Sequence, residues 1–461
     1  MQITPHQAKY FAYELTKQSP SNSIESLAMT LADAQVDLNP HQIDAALFAF
    51  RSPLSKGAIL ADEVGLGKTI EAGILLSQKW AERKRRLLVI VPATLRKQWS
   101  QELADKFFLP STILEKKSFD QAIKTGNLNP FQQNSVVLCS YQFVRSKDVY
   151  IKQVPWDLVI VDEAHRLRNV YKPTNKIGNA IKAAIAHAPK VLLTATPLQN
   201  SLLELYGLVS IVDDHTFGDL KSFKDQFIGT QNTEDYQALK NRLKNVCQRT
   251  LRRQVLEYIK FTNRIPMTQE FFPSEAEQKL YDLISDYLQK ETLYALPNSQ
   301  RKLMTLILRK LLASSTFAIS GTLDALKIRL EELLKLQSKI NSPIDLSTIT
   351  SDLESADELE EEWDDESDEV AEESKTLSKE QIEEVKHELS LINEYRKLAE
   401  SISQNSKGVV LLKALKKGFQ KLQELGAAQK AVIFTESKRT QQYLLKILES
   451  SDYKGKVVLF N

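Results

Sequence analysis

A stretch near residue 60 combines glycines, a lysine and a hydroxyl at the spacing of a phosphate-binding loop. A short apolar run leads into Gly65 and Gly67, which are followed by Lys68 and Thr69 at the start of an amphipathic segment. Backbone N–H groups beside glycines can face a phosphate, a lysine supplies a point charge, and a hydroxyl can bind Mg²⁺. The sequence therefore predicts a nucleotide site in which Lys68 binds the β- and γ-phosphates and Thr69 binds the metal. The predicted phosphate loop comprises Asp62, Glu63, Val64, Gly65, Leu66, Gly67, Lys68 and Thr69.

Two carboxylates, Asp162 and Glu163, follow another apolar run about ninety residues further along the chain. At a strand end, Asp162 can hold the water shell of Mg²⁺ opposite Thr69. Its neighbour Glu163 can orient or deprotonate an attacking water, so we expect a catalytic set of Lys68, Asp162, Glu163 and His165. His165 either senses the γ-phosphate or links this segment to the next motif. The alternative is a strand-terminal cap with surface acids, which the presence of the phosphate loop disfavours.

Two further motifs complete the predicted nucleotide site. Thr194 and Thr196 stand at the end of another apolar run, where their hydroxyls can couple the nucleotide site to a neighbouring domain; a plain Ser/Thr turn is the alternative. Gln42 precedes the phosphate loop by about 25 residues. An amide can donate to and accept from an adenine edge, so we expect Gln42 to contact the base of ATP, although a lone glutamine is usually a surface residue.

Hydroxyls and cations also follow two of the predicted strands, where they suit the phosphates of a nucleic acid. Trp99 lies close to one of these groups, and we interpret it as core packing rather than base stacking. The basic cluster 83–86 is interpreted as a solvated loop. The predicted nucleic-acid-binding residues are Thr94, Arg96, Lys97, Ser140 and Tyr141.

Apolar, β-rich runs alternate with helical patterns between residues 38 and 211, which predicts an α/β fold with a parallel sheet covered by helices on both faces. Ligands of such sheets bind at the carboxyl ends of the strands, and each chemical motif lies just after a strand candidate. The strand candidates are Ala58–Leu60, Leu87–Val91, Val136–Ser140, Leu158–Val161 and Val191–Thr194. The helical candidates are Gln42–Phe50 and about 68–82, 93–107, 174–187 and 200–211.

A chain of 461 residues is too long for one ordinary core, and its character changes along its length. Residues 219–340 are helical in pattern, and 352–373 hold fourteen Asp or Glu and no Lys or Arg, which predicts disorder. The predicted domains are an N-terminal helical attachment (1–37), a first RecA-like domain (38–218), a helical insertion (219–345), an acidic linker (346–377) and the beginning of a second RecA-like domain (378–461).

That last region contains two buried-strand patterns, Lys430–Thr435 and Lys456–Phe460, separated by a helix. A parallel sheet of two strands cannot bury its faces well. We therefore expect that the chain is a truncated form of something longer, or that a second chain completes the sheet.

Composition and charge indicate where the protein is located and what kind of partner it binds. Two cysteines far apart, Cys139 and Cys247, disfavour a disulfide framework or zinc site, and no signal peptide or membrane-spanning run is visible, so a cytoplasmic protein is expected. The net charge is +2, but without 352–373 the 61 Lys and Arg face 45 Asp and Glu, a charge of +16. A basic folded part suits a polyanionic partner, although charge alone does not distinguish this from a soluble basic surface.

Taken together, the motifs resemble those of the superfamily-two helicase-like ATPases, specifically Swi/Snf-type DNA translocases and their bacterial RNA-polymerase-associated or phage-defence-like members. Asp62 stands where the usual phosphate loop has its first glycine, and this is the form found in that group. A DEAH-box segment, an extended third motif and a turn beyond the helical protrusion follow in the family's order. The matching segments are Asp62–Thr69, Asp162–His165, Thr194–Asn200, Leu251–Arg253 and Lys430–Thr435 with Thr440.

The resemblance implies an ATP- and Mg²⁺-dependent hydrolase that moves along double-stranded DNA or remodels protein–DNA complexes. It also suggests RNA polymerase or defence and repair proteins as partners. The family's Gly-rich DNA motif and its arginine-finger motif are not present, so we expect weak turnover from this chain alone. A strand-separating DNA or RNA helicase, and a non-catalytic ATP- or DNA-binding module completed by a partner chain, remain as alternatives. The acidic tract acts either as a flexible linker or as a mask over the DNA surface.

Overall fold

The computed structural model describes residues 34–51, 56–228, 233–262, 265–290, 292–296, 301–336 and 378–460, with a few positions between 4 and 12. The chain forms two compact units, Met1–Asn263 and Arg264–Asn461. Most of the predicted N-terminal attachment and all of the predicted acidic linker lie outside the described residues. Within the described part of the chain, no helix is both long and apolar enough to cross a membrane.

Seven strands of the first unit form one sheet in which every neighbouring pair is parallel. Their order across the sheet is β3-β4-β2-β5-β6-β1-β7. The register pairs Leu60 of β1 with Leu193 of β6, and Val161 of β5 with Leu192 of β6. The strands are β1 Gly57–Leu60, β2 Leu87–Val91, β3 Ser111–Ile113, β4 Val136–Ser140, β5 Leu158–Val161, β6 Lys190–Leu193 and β7 Cys247–Gln248.

Helices cover both faces of this sheet. Alternate residues of one strand enter opposite cores: Leu88 and Ile90 lie in one apolar cluster, and Val89 lies in the other. This alternation follows from the two-residue repeat of a strand, and it explains why the buried strands read as continuous apolar runs. The helices are α1 Pro40–Arg51, α2 Lys68–Ala81, α3 Arg96–Phe107, α4 Lys116–Lys124, α5 Tyr141–Ser146, α6 Asp148–Lys152, α7 Lys176–Ala184, α8 Leu202–Val212, α9 Leu220–Phe227 and α10 Thr233–Leu243.

The predicted fold class is confirmed, and the five predicted strands agree with β1, β2, β4, β5 and β6 to within one residue. The edge strands β3 and β7 were not predicted. The first unit also extends beyond the predicted domain end at residue 218, because Phe223 and Phe227 of α9 pack in its core and β7 pairs with β1. The remaining domain boundaries stay predictions.

The second unit is helical in its described residues. Its core contains Leu280, Leu308, Leu326 and Ile392, each from a different helix. The carboxylate of Glu388 is buried there and accepts from the hydroxyl of Tyr287 at 2.6 Å and from the backbone N–H groups of Tyr294 and Ala295. The helices are α11 Glu275–Gln289, α12 Arg301–Ser314, α13 Thr316–Leu336, α14 Lys379–Ser401, α15 Ser406–Glu424 and α16 Lys438–Glu449.

The two strand patterns predicted in this unit, 430–435 and 456–460, form no paired strand with the described residues. A parallel strand needs a neighbour on at least one side to bond its backbone groups. Their apolar side chains are correspondingly exposed, to 91% for Phe434 and 84% for Phe460. The proposal that this region begins a second RecA-like domain stays a prediction.

Candidate nucleotide site

The strand order brings the three predicted nucleotide motifs to one edge of the sheet. Strands β5, β6 and β1 are neighbours, and all of them run in the same direction. Asp162 and Thr194 lie in the loops after β5 and β6, and the loop after β1 leads to Lys68 at the start of α2. The carboxyl ends of three adjacent parallel strands therefore position these side chains side by side, at the edge where such sheets bind ligands.

The phosphate loop has the backbone conformation that an anion site needs. Gly65 and Gly67 have φ angles of 85° and 93°, in the left-handed region that favours glycine. No side chain caps α2, and the N–H groups of Lys68 and Thr69 in its first turn make no hydrogen bond to the described residues, so they can bind an anion. A Cβ atom on Gly67 would lie 2.4 Å from Nε2 of Gln42, so a larger residue does not fit without movement of that amide. Lys68 Nζ donates to the carbonyl of Asp62 at 3.0 Å, and Thr69 lies in the first turn of α2.

The carboxylate of Asp162 is held by two donors and is largely buried. Trp99 Nε1 donates to one oxygen at 2.8 Å, and the backbone N–H of Glu163 donates to the other at 2.9 Å. Tyr141 donates its hydroxyl proton to the Asp162 carbonyl at 2.5 Å, which fixes the backbone at this point. Burial raises the pKa of Asp162, whereas the bond from Trp99 and the charge of Lys68 oppose that rise. The carboxylate is therefore preset in orientation for a cation.

Glu163 occupies a left-handed backbone conformation with φ 54°, which is uncommon for a residue with a side chain. Such strained positions concentrate at functional sites. Its carboxylate lies 3.1 Å from Nδ1 of His165. That contact lowers the pKa of Glu163 most, and the positive charge of Lys68 adds to the effect. Glu163 is thus ionised at neutral pH and can accept a proton.

A second pair of acids lies under the phosphate loop. Asp62 and Glu71 are completely buried, and Oδ2 of Asp62 and both oxygens of Glu71 have no hydrogen-bond partner among the other described residues. Burial first, and then the charge of Asp62 and a bond to its side chain, raise the pKa of Glu71 to about 9. Glu71 therefore keeps its proton at neutral pH.

His41 lies beside this pair, with a ring nitrogen within 4.8 Å of the two acids' oxygens. The grouping does not make a metal site, because both ring nitrogens are engaged: Nε2 donates to the Leu66 carbonyl at 2.9 Å, and Nδ1 is 3.2 Å from the Tyr258 hydroxyl. Since a carbonyl can only accept, the proton is on Nε2.

The third motif is tied to the second by Arg168. Its Nη1 donates to the Gln199 side chain at 2.5 Å, and its Nε lies 3.7 Å from a carboxylate oxygen of Glu204. Thr194 is buried, and its Oγ1 accepts from the backbone N–H of Thr196 at 3.2 Å, whereas the side chain of Thr196 is exposed. The loops after β5 and β6 are thereby joined, and the coupling role of the two threonines stays a prediction.

The predicted nucleic-acid-binding residues divide into two groups. Thr94 and Lys97 are exposed, and Arg96 is half-buried, with its Nε bonded to the Ala93 carbonyl at 3.0 Å. Ser140 and Tyr141 are buried, with Ser140 capping α5. Contacts to a nucleic acid in the described arrangement are therefore available to the first group only.

Gln42 is buried, and its amide bonds the Leu66 carbonyl and the Asn39 N–H, at 2.9 and 3.0 Å. It therefore supports the phosphate loop in this structure, and the predicted adenine contact is untested.

Three residues with a part in the site were missed or misread in the sequence. The sequence predicts core packing for Trp99, which is 2% exposed, and the structure adds a hydrogen bond from its Nε1 to Asp162. Glu71 could have been found in the sequence, because it is an acidic residue on the apolar side of a helix shortly after the phosphate loop. Arg252, 188 residues from Val64, was noted only as part of a family turn, and it donates two hydrogen bonds to the Val64 carbonyl.

An all-parallel sheet with a glycine-rich anion loop after one strand and an acidic pair after a neighbouring strand defines a RecA-like nucleotide-hydrolysing domain. A family model described as the SNF2-related domain matches residues 12–317. The chain belongs to this family, and with it to the ATP-dependent helicase-like ATPases, as the motifs indicated.

Two curated bacterial relatives agree with this assignment, and one solved structure is similar to part of the chain. An uncharacterized ATP-dependent helicase of Bacillus subtilis, YqhH, is 32% identical over 319 residues, which is 68% of this chain and 51% of YqhH. The RNA polymerase-associated protein RapA of Serratia proteamaculans is 35% identical over 42% of this chain and 20% of its own length. A SWI2/SNF2 ATPase core of Sulfolobus solfataricus, solved with dsDNA, is 21% identical with a TM-score of 0.42, covering 67% of this chain and 66% of that one. The chain thus spans about half of YqhH and a fifth of RapA.

Proposed function

We propose that this chain binds and hydrolyses ATP with Mg²⁺ as the motor part of a translocase on double-stranded DNA. One observation carries the proposal: Lys68, Asp162 and Glu163 follow the carboxyl ends of β1 and β5, which flank β6 in one parallel sheet. A phosphate-binding cation, a buried carboxylate and an ionised carboxylate therefore share one site.

The residues of the site have separate roles in the reaction. The N–H groups at Gly65 and Gly67 and the ammonium of Lys68 bind the β- and γ-phosphates. Thr69 and Asp162 are the residues that would hold Mg²⁺, which when bound neutralises charge that develops on the phosphates. The fit is supported by the chemistry of the donors, a hydroxyl and a carboxylate, which are oxygen ligands of the kind that Mg²⁺ prefers.

Glu163 serves as the base. Its carboxylate accepts a proton from the attacking water as the water oxygen bonds to the γ-phosphorus. The bond between that phosphorus and the bridging oxygen breaks, and ADP and inorganic phosphate are the products. His165, 3.1 Å from Glu163, keeps this carboxylate ionised and oriented.

Support for a DNA partner comes from charge and exposure. Outside 352–373 the chain carries a charge of +16, and Thr94 and Lys97 are exposed just after β2. The relatives named as RNA polymerase-associated proteins motivate RNA polymerase as a further partner. We place the protein in the cytoplasm, where both partners are found in a bacterial cell.

Binding and turnover test the nucleotide part of this proposal separately. Lys68→Ala should weaken binding of a fluorescent ATP analogue at least about tenfold, because it removes a charged contact. Glu163→Gln should keep binding but lower phosphate release by a factor of about 10²–10⁴, the usual worth of a general base. A wild-type chain with no measurable affinity for the analogue, or a Glu163→Gln variant with unchanged turnover, would contradict the assignment.

Binding to duplex DNA tests the partner. Lys97→Ala should weaken binding and reduce its salt dependence by about one counterion, since each phosphate contact releases one. Lys124→Ala is the matched control, because Lys124 is also exposed but lies at the end of α4. Equal losses in both variants would indicate a non-specific charge effect.

The helicase name of one relative motivates a second assay, which separates translocation from strand separation. Displacement of a triplex strand without unwinding of forked DNA favours translocation, and unwinding favours a strand-separating helicase.

A further inference from the structure

A segment far from the phosphate loop in sequence is hydrogen-bonded to it in the structure. Strand β7 pairs with β1, and the bonding continues beyond both strand ends, where the N–H of Glu63 donates to the Thr250 carbonyl at 3.1 Å. In the other direction, the N–H of Thr250 donates to Oδ1 of Asp62 at 2.7 Å, and the N–H of Arg252 donates to the Glu63 carboxylate at 2.7 Å. Residues 250–252 therefore form a clamp along the first half of the loop.

The side chain of Arg252 extends this clamp to the loop's backbone. Its Nε and Nη2 atoms both donate to the Val64 carbonyl, at 3.1 and 2.6 Å. The guanidinium also lies over the ring of Phe261, whose centroid is 5.1 Å from Cζ. A planar guanidinium that is stacked on a ring loses less freedom on bonding than a flexible ammonium does.

These bonds determine which way the loop's N–H groups point. A trans peptide is planar, so its C=O and the following N–H point in opposite directions. The Val64 carbonyl is fixed towards Arg252, which turns the N–H of Gly65 away from Arg252 and towards the opposite side of the loop. The Leu66 carbonyl is fixed by the side chains of His41 and Gln42, at 2.9 Å each, and this orients the N–H of Gly67 in the same manner.

The contact between His41 and the Leu66 carbonyl depends in turn on Tyr258, in the segment that follows the clamp. Tyr258 stacks on the His41 ring, with centroids 5.8 Å apart and planes 22° from parallel, and its hydroxyl is 3.2 Å from Nδ1. Both glycine N–H groups that the proposed function assigns to the phosphates are thus set through residues 252–258.

We propose that Arg252 is a positioning residue of the nucleotide site, which holds the Val64–Gly65 peptide in the orientation that presents its N–H to a phosphate. Arg252 acts through the loop and needs no contact with the nucleotide. This inference rests on the proposed function. The segment that carries Arg252 lies near the end of the first compact unit, shortly before the second begins at Arg264.

The test compares Arg252→Ala with Arg253→Ala in the full chain. Arg253 is the adjacent arginine, and it is exposed with no hydrogen bond or ion pair to the described residues. ADP affinity is measured with a fluorescent analogue, and hydrogen exchange of the loop 61–67 is measured without any nucleotide. We expect Arg252→Ala to weaken ADP binding about tenfold, the worth of a charge-assisted hydrogen bond, and to speed exchange in the loop. Arg253→Ala should change neither.

Arg252→Lys separates geometry from charge. A lysine keeps the charge but has no planar fork, so we expect it to restore less than half of the lost affinity on a logarithmic scale. Full restoration would show that only charge matters and would overturn the proposal. Thermal unfolding of each variant identifies any general loss of folding, which would speed exchange in β2 as well as in the loop.

Failure of the inference and failure of the proposed function give different results. If the wild-type chain binds no ADP, the proposed function fails, and the role of Arg252 in it fails as well. If the wild type binds ADP and Arg252→Ala binds it equally, or if loop exchange is unchanged in that variant, only the role of Arg252 is refuted.

Discussion

Replacing Glu71 by glutamine should remove a large pH dependence from the stability of the first unit. Glu71 is buried in α2, and its pKa is raised from 4.5 to about 9, chiefly by burial and then by the neighbouring charge of Asp62. Glutamine has nearly the same shape and cannot ionise. The comparison between the two chains therefore isolates the proton that the folded protein holds.

The sign follows from the direction of the pKa shift. Below pH 4.5 the carboxyl is protonated in both the folded and the unfolded chain, and its full contribution to stability is present. Between 4.5 and about 9 only the folded chain keeps the proton, so stability is lost as pH rises. Each pH unit in this window costs about 1.4 kcal/mol. Between pH 5 and 8 the wild type should thus lose up to about 4 kcal/mol relative to Glu71→Gln.

Urea unfolding at several pH values measures this difference. Three of the four tryptophans, Trp80, Trp99 and Trp156, lie in the first unit, so their fluorescence reports its unfolding once Trp363 is changed to phenylalanine in every chain. Subtracting the variant from the wild type cancels the titrating groups that do not interact with Glu71.

Glu257→Gln is the matched control for Glu71→Gln, because it removes an exposed carboxyl from the same unit. It should follow the wild type at each pH. The reasoning is refuted if the free energies of unfolding of wild type and Glu71→Gln run parallel from pH 5 to 8.

Two further substitutions test single contacts. Trp99→Phe removes the donor to Asp162 and should raise the Mg²⁺ concentration needed for half-maximal nucleotide binding and hydrolysis about tenfold, because a hydrogen bond to a charged group is worth about 1.5–3 kcal/mol. Gly73→Ala should destabilise the first unit by about 1–3 kcal/mol in thermal unfolding, because the new Cβ atom would lie 2.1 Å from a ring carbon of Phe107.

Each of these variants has a matched control. Trp156 is also buried and donates to a backbone carbonyl, that of Ile151, at 3.1 Å, so Trp156→Phe should lower stability without changing the Mg²⁺ requirement. A Cβ atom on Gly418, within α15, meets no described atom within 4 Å, so Gly418→Ala should stabilise its helix by about 0.5–1 kcal/mol. The roles assigned to these contacts are contradicted if both tryptophan variants need the same Mg²⁺ concentration for half-maximal binding and hydrolysis. They are also contradicted if Gly73→Ala unfolds at the wild-type temperature.

The first sheet could be predicted from sequence where its strands are buried on both faces. Leu87–Val91 and Leu158–Val161 are continuous apolar runs, and nothing but a central parallel strand suits them at that length. The edge strands gave no comparable signal: Ser111–Ile113 is three residues long and half-buried, and Cys247–Gln248 has only two residues. Such short strands exist because a neighbour is already in place, which local sequence does not reveal.

The candidate site shows the same division. Lys68, Asp162 and Glu163 could be identified because loop chemistry and spacing are local properties of the chain. The donors that orient these groups could not be identified in the same way, because Trp99 lies 63 residues from Asp162 and Arg252 lies 188 residues from Val64. Their roles depend on which strands are neighbours, and that order was not available from the sequence.

The sequence distance between the phosphate loop and β7 has a consequence for biosynthesis. During translation, residues 61–67 leave the ribosome long before Thr250 and Arg252, which bond them from 188 residues later in the chain. β1 likewise lacks both sheet neighbours until β6 and β7 have been made. A nascent chain shorter than about 250 residues consequently has an open loop whose backbone groups still face water. The capacity to retain a nucleotide should therefore arise late and in one step, when the last two-residue strand docks.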